Sequence, residues 1–473
     1  MKKIQELQQI KGDAYDYYIS GNEETDLFEK IFLVDEIIDE ICRPDKYFLI
    51  GEKGSGKTAY SVYMSKSDKV DSFCTISLVE NTLYQRFLNM KKQKTMELSS
   101  YKDVWVNLIY LILAENIRKQ YGDTLFSSLK YKQLSKAIDA FYSDAFKPEF
   151  INAFEFVDNA TASINSMLKQ GVFSSGGKVT NESSQKYVEQ SYQISLLKIR
   201  DGFEKAFAEI KLKKPTILFV DGIDARPRDI DNEQYFECLV GLVNAILEVN
   251  QTSFKEKNIK VMLLIRPDIM YKMPIHNMNQ KLRNNSVLLN WVTSYRKYVE
   301  SKLFKIADDY FMKQQEQVYE LGKCWNSYFP YKVECSAPWK KPDNPFVEFL
   351  RYSLYKPRDI LTMLNEMVEA TSGDKFRHAD FENMLANYAT YLKGELKDYM
   401  LIYMEDSDYS NFILFFDYFQ GHRSFDYKYF EAKHLEYVKY LKELGRKIPP
   451  FMETASDALQ LLYDTNIICY KTY

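Results

Sequence analysis

"KYFLIGEKGSGKTAYS", Lys46–Ser61, is the stretch on which the reading of this chain turns. "YFLI" is a short apolar run of strand formers, "GEKGSG" is too rich in glycine for regular structure, and "KTAYSVYMSK" resumes without a helix breaker. Strand, glycine loop and helix are therefore expected with no spacer between them. Gly51, Gly54, Ser55, Gly56, Lys57 and Thr58, followed by Ala59, satisfy G-x-x-x-x-G-K-[ST]. In such a loop the glycines let successive backbone N–H groups face a phosphate with no Cβ in the way. The helix that follows adds the positive end of its dipole. Lys57 is placed to reach β- and γ-phosphates, and the Thr58 hydroxyl to bind Mg²⁺. The expected ligands are ATP and Mg²⁺. Adenine is the default base, because no [NT]-K-x-D guanine-reading motif is present and "KKPD", Lys340–Asp343, lacks the leading Asn or Thr.

A phosphate loop needs an acidic partner at the C-terminal end of a neighbouring buried strand. "PTILFVDGIDARPRD", Pro215–Asp229, supplies one, since Asp221 falls where the run "TILFV" should end. Asp221 is expected to hold Mg²⁺; by itself, a carboxylate opening a "DG" turn would be unremarked. Many hydrolysing ATPases of this broad class carry a glutamate directly after that aspartate, but here the position is Gly222. Asp224 is the nearest carboxylate able to orient or deprotonate an attacking water, with a loop-structuring role as the alternative; Glu80, ending "FCTISLVE", is a weaker candidate.

Arginines complete the candidate set. "VMLLIRPDIM" places Arg266 and Asp268 at the C-terminal edge of another strand, where ligands of open α/β sheets bind. Arg266 is read either as a γ-phosphate sensor or as half of a turn pair with Asp268. In "YKPRDILTMLNEM", Pro357 suits the first position of a helix, which puts Arg358 in the first turn, as a lid arginine reaching the γ-phosphate or as an exposed helix-start residue. Arg226 and Arg228 are candidate fingers acting on a neighbouring subunit.

Around these motifs, β-rich runs lie at Tyr47–Ile50, Phe73–Leu78, Thr216–Val220, Ile259–Ile265 and Val287–Trp291, with helical patterns between them. Buried strands alternating with helices imply a parallel sheet covered on both faces. The expected fold class is α/β, a P-loop NTPase core with a parallel sheet flanked by helices. A helical insertion, a helical lid and a mostly helical C-terminal domain are added to it. The expected divisions are a helical segment 1–27, a core 28–292 with the insertion at about 81–210, a lid 293–370 and a C-terminal domain 371–473. The insertion contains "VWVNLIYLILAENI", Val104–Ile117, too short for a bilayer span of ~20 residues and read as a buried helix. It also contains "GVFSSGGKVTNESSQ", Gly171–Gln185, read as a surface loop. After Trp291, Tyr295, Tyr298, Val299, Leu303, Phe304, Ile306 and Ala307 form one helical face. At the end of the chain, helices followed by the β-like "NIICYKTY" are compatible with a winged-helix module or with a simple bundle.

With 473 residues, 46% of them hydrophobic, and a net charge of -3, the chain is expected to bury a large core and has no overall basic field for nucleic acid. A local surface remains for DNA or protein: "DYKYFEAKHLEYVKYLKELGRK", Asp426–Lys447, interleaves lysines with tyrosines, which a solvated helix face also explains. Six cysteines without C-x-x-C, four scattered histidines and no apolar leader near Met1 argue against a zinc site and secretion and fit a reduced, cytoplasmic compartment with no membrane contact.

Taken together, "GEKGSGKTA", "ILFVDGID", "LLIRPDI", "LLNW" and "KPRDIL" occur in the order found in bacterial P-loop ATPases of the STAND and AAA-like type. The chain resembles a branch of them often met in bacterial defence and mobile-element settings, over roughly Phe28 to Glu369. The resemblance implies a sheet with an additional strand between the phosphate-loop strand and the Mg²⁺ strand. It also implies Lys57 and Thr58 as nucleotide and Mg²⁺ residues, Asp221 as the second acid, and Arg266 and Arg358 as first and second sensors. It implies a switch that ATP holds closed or as a homo-oligomer. Gly222 departs from the Asp-Glu pair of efficient hydrolysers, which counts against fast turnover. A small-molecule kinase would share the loop but needs neither the insertion nor the helical tail.

Overall fold

The structure, a computed structural model, describes residues 1–20, 22–79, 101–126, 131–144, 197–224, 226, 232–275, 278–333, 343–401, 403–422, 424–465 and 467–468. These residues form two compact units, Asp13–Asn290 and Met1–Gly12 with Trp291–Tyr473.

The unit Asp13–Asn290 is built on five parallel strands, β1 (Phe48–Ile50), β2 (Phe73–Leu78), β3 (Thr216–Asp221), β4 (Ile259–Ile265) and β5 (Ser286–Leu288), in the order β2-β3-β4-β1-β5. β4 thus separates β1 from β3, the additional strand that the resemblance implies. "TILFVD" and "IKVMLLI" carry no alternation because both faces of β3 and β4 are covered; every residue of the two strands is buried. Each fully buried Leu, Ile, Val or Phe there contributes on the order of 1.5 to 3 kcal/mol. The last strand differs from the expected Val287–Trp291. It starts at Ser286 and ends at Leu288, after which Leu289 gives one more N–H to Ile50 O (2.8 Å).

Two polar residues inside this apolar layer have identified partners. Lys260, buried in β4, donates to Ile41 O and to Arg43 O (2.7 Å for the second), closing the C-terminal end of helix α1 (Glu36–Cys42). Burial pushes its ammonium down to about 8. The Asn250 amide pairs with both main-chain groups of Val261, at 2.8 and 3.0 Å, as a neighbouring strand would.

Helix α2 (Lys57–Lys66) follows the glycine loop and packs on β2. The run Val104–Ile117 lies in helix α3 (Tyr101–Phe126), broken at Gly122, where φ is 69°. All of Val104–Leu113 is buried, against helix α4 (Asn232–Gln251) among others. Trp105 Nε1 donates to Cys238 O across that contact (3.1 Å). The described parts of 81–210 are helical, including 132–144 and 197–209. The loop 171–185 lies outside the described residues.

In the unit formed by Met1–Gly12 and Trp291–Tyr473, aromatic side chains make the core. Trp325 is fully buried, stacked on Phe329 with centroids 4.2 Å apart and edge-on to Phe346 and Phe349, both at 5.2 Å. Asp308 accepts from Gly322 N (2.7 Å) and Trp325 N (2.8 Å), fixing the turn that presents the indole. The segment before Gly12 belongs to this unit through main-chain bonds: Asn365 accepts from Ile10 N (3.1 Å) and donates to Ile10 O (2.6 Å), and Gln314 accepts from Gln8 N (2.7 Å).

The single helical face expected after Trp291 is a correction. A 3₁₀ segment, Tyr295–Glu300, precedes helix α5 (Lys302–Met312), because Ser301 is extended and its hydroxyl caps Phe304 N at 3.1 Å. Tyr295 and Val299 are consequently exposed. Helix α6 (Pro357–Ala370) begins at the expected proline and packs on helix α7 (His378–Met400). Between 371 and 468 the described residues hold helices and no strand; most of "NIICYKTY" lies outside them. The Lys/Tyr-rich run is helix α8 (Tyr427–Glu443), capped by Asp426, with Phe430, His434, Tyr437 and Leu441 facing inward. Two of its lysines are paired on the helix itself, Lys433 with Glu436 (2.8 Å) and Lys439 with Glu443 (3.9 Å). No helix among the described residues is long and apolar enough to cross a membrane.

Candidate functional site

The loop Gly51–Gly56 leaves β1 at the C-terminal edge of the sheet and enters α2 directly. A Cβ on Gly51 would lie 2.3 Å from Ser55 Oγ and 3.1 Å from Leu289 Cβ, so a side chain there requires the Ser55 hydroxyl to turn away and Leu289 to give. Gly54 and Gly56 turn the chain with φ of 83° and 95°, a region unfavourable to other residues. The loop folds tightly on itself, with Ser55 N donating to Glu52 O (3.1 Å) and Ser55 itself buried.

Lys57, Thr58 and Ala59 form the first turn of α2. Lys57 is 6% exposed and its Nζ lies back over the loop, donating to Gly51 O (2.9 Å) and Glu52 O (3.3 Å). Burial pushes its ammonium down, opposed by the nearby carboxylates of Asp224 and Asp221. Thr58 Oγ1 donates to Asp221 Oδ2 at 2.6 Å, joining the start of α2 to the end of β3. Asp221 is buried, and its other oxygen accepts from Gly222 N (2.8 Å). Burial raises the Asp221 carboxyl above the usual range, and the Thr58 bond is the largest effect opposing this.

Gly222 explains the missing glutamate. Its φ is 82°, and a Cβ would stand 3.2 Å from Val79 O and 3.3 Å from Val79 N, so no side chain fits without strain. The chain then turns so that Asp224 Oδ2 comes 3.9 Å from Lys57 Nζ, while Oδ1 is buried without a hydrogen-bond partner.

Arg266 directly follows β4 at the same edge, 1% exposed, and Pro267 starts the next helix. Its guanidinium holds Asp268 by two bonds, Nε to Oδ1 at 2.9 Å and Nη2 to Oδ2 at 2.6 Å. The turn pair read from the sequence is therefore present. The structure brings Lys57, Thr58, Asp221, Asp224 and Arg266 to one sheet edge. Arg358 belongs to the other unit, in the first turn of α6, and pairs there with Glu395 of α7. Glu80 and Arg228 lie outside the described residues.

Sequence reasoning missed Tyr235 on α4, whose buried hydroxyl donates to Ile223 O at 2.5 Å. A tyrosine on an apolar helix face, bonded to a main-chain oxygen, leaves no motif. Among the described residues no group of three or more His, Cys, Asp or Glu side chains stands close enough to hold a metal ion alone. Thr58 and Asp221 offer two oxygen donors, which suits an ion that takes its remaining ligands from phosphates and water. Comparison of the chain with protein-family models, with curated proteins and with solved structures gave no match.

Proposed function

We propose that the chain binds ATP and Mg²⁺ at Gly51–Ala59 and hydrolyses the nucleotide, acting as a switch. The observation that carries this reading is the 2.6 Å bond between Thr58 and Asp221. It joins, across 163 positions, a hydroxyl that follows a glycine loop and a carboxylate that ends a buried strand, the two oxygens this chemistry requires side by side. Mg²⁺ held by that pair would draw charge from the phosphate oxygens.

Lys57 then has a defined task. Its ammonium, now bonded to Gly51 O and Glu52 O, exchanges those acceptors for β- and γ-phosphate oxygens. The backbone N–H groups of the loop bind the same anion, and the start of α2 adds its dipole. Asp224 is the carboxylate that takes the proton of the attacking water, since Gly222 leaves no acid next to Asp221. Arg266 is the residue through which β4 reports the nucleotide state. The exchange of Lys57 partners on binding is what makes the site a switch.

The test is nucleotide binding and turnover by the purified full chain. Wild type is expected to bind ATP and release phosphate only with Mg²⁺. Lys57→Ala should weaken binding at least tenfold, and Asp224→Asn should keep binding while losing most turnover. A wild-type protein with no ATP affinity overturns the reading.

A further inference from the structure

We propose that Tyr235 is a positioning residue, whose hydroxyl pins the 222–224 turn and thereby keeps the Asp224 carboxylate beside Lys57. Its catalytic meaning rests on the reading above, in which Asp224 accepts the proton of the attacking water.

The case begins with what does not hold Asp224. Among the described residues no hydrogen bond reaches its carboxylate; it has the 3.9 Å ion contact with Lys57, and Oδ1 is buried and unpaired. A carboxylate without bonds of its own is aimed by its main chain. That main chain is fixed at two points. On one flank Val79 N donates to Asp221 O (2.8 Å), and the Gly222 backbone packs against Val79. On the other, Ile223 is buried completely and its carbonyl receives the Tyr235 hydroxyl at 2.5 Å.

Between those clamps Gly222 has the widest conformational freedom of any residue, so the turn would swing if either were released. The Tyr235 clamp is the nearer to Asp224, one residue away, and it comes from a helix packed on β4 and not from the loop itself. Tyr235 is itself wholly buried, and burial holds its hydroxyl far above the ordinary phenol range, so it remains a donor at every working pH. A displacement of about 1 Å of a catalytic group can cost roughly a hundredfold in rate.

Tyr235→Phe removes one oxygen and keeps the ring. In the full chain, amide hydrogen exchange at Ile223 and Asp224 is expected to speed up about tenfold while β3 and β4 keep their protection. ATP turnover should fall about tenfold or more with KM within roughly twofold of wild type. In an Asp224→Asn background the Tyr235 change should cost no further residual turnover, because both act through one group. Unchanged exchange in the turn overturns the proposal, as does a turnover loss that persists in full when Asp224 is already replaced. A wild-type chain that exchanges as expected but hydrolyses nothing refutes the ATPase reading alone, leaving the clamp decided by the exchange data.

Discussion

Asp359 sits in the first turn of α6, 3% exposed, and accepts the Tyr391 hydroxyl at 3.2 Å. Burial raises its carboxyl to about 6, against the favourable charges of Lys356 and Arg358. In the unfolded chain an Asp ionises near pH 4, so between about pH 4 and 6 the native state keeps a proton that the unfolded state releases. Stability therefore falls as pH rises through that window and stays lower above it. Asp359→Asn keeps an acceptor for Tyr391 and buries no charge. At pH 7.5 it is expected to be more stable than wild type by on the order of 2 to 3 kcal/mol, with no advantage below about pH 4. Urea unfolding at the two pH values checks this, and equal gains at both would refute it. At the same scale, the sequence made Thr58 and Asp221 legible, because a glycine loop running into a helix and an acid ending an apolar strand each have a pattern. Tyr235 and the Arg358–Glu395 pair had none, since their partners are a main-chain oxygen and a side chain 37 positions away.

Helix α4 shows how packing between elements can reverse a local preference. Gly241 lies inside this helix, where alanine would ordinarily be favoured by about 1 kcal/mol. Here a Cβ would meet Tyr101 Cβ at 2.6 Å and Lys102 N at 3.0 Å, the start of α3. Gly241→Ala is thus expected to destabilise the Asp13–Asn290 unit by roughly 1 to 3 kcal/mol, measured by chemical unfolding; a gain would show that α3 moves freely away. Elements of this unit were the most readable part of the chain. β3 and β4 are apolar at nearly every position because helices cover both faces, and that run survives any shift of register. The break at Ser301 was not readable, because the apolar spacing from Tyr295 to Ala307 fits one helix and only the cap on Phe304 ends the first turn.

On the scale of the whole molecule, the unit containing Trp325 is discontinuous in sequence. Asn365 holds its first segment through Ile10 while also accepting the Tyr310 hydroxyl at 3.2 Å. Asn365→Ala is expected to cost about 1 to 3 kcal/mol by leaving main-chain groups unpaired. It should also let trypsin cut at the exposed Lys11 sooner than in wild type; an unchanged digestion course would count against it. The 355 positions between Ile10 and Asn365 also set a timetable. At about 5 to 20 residues per second of synthesis, Ile10 waits roughly 20 to 70 seconds for its partner to leave the ribosome. During that interval all five strands emerge, and with them Lys57, Thr58, Asp221, Asp224 and Tyr235. The sheet and its candidate site can close on a nascent chain in which Arg358 does not yet exist.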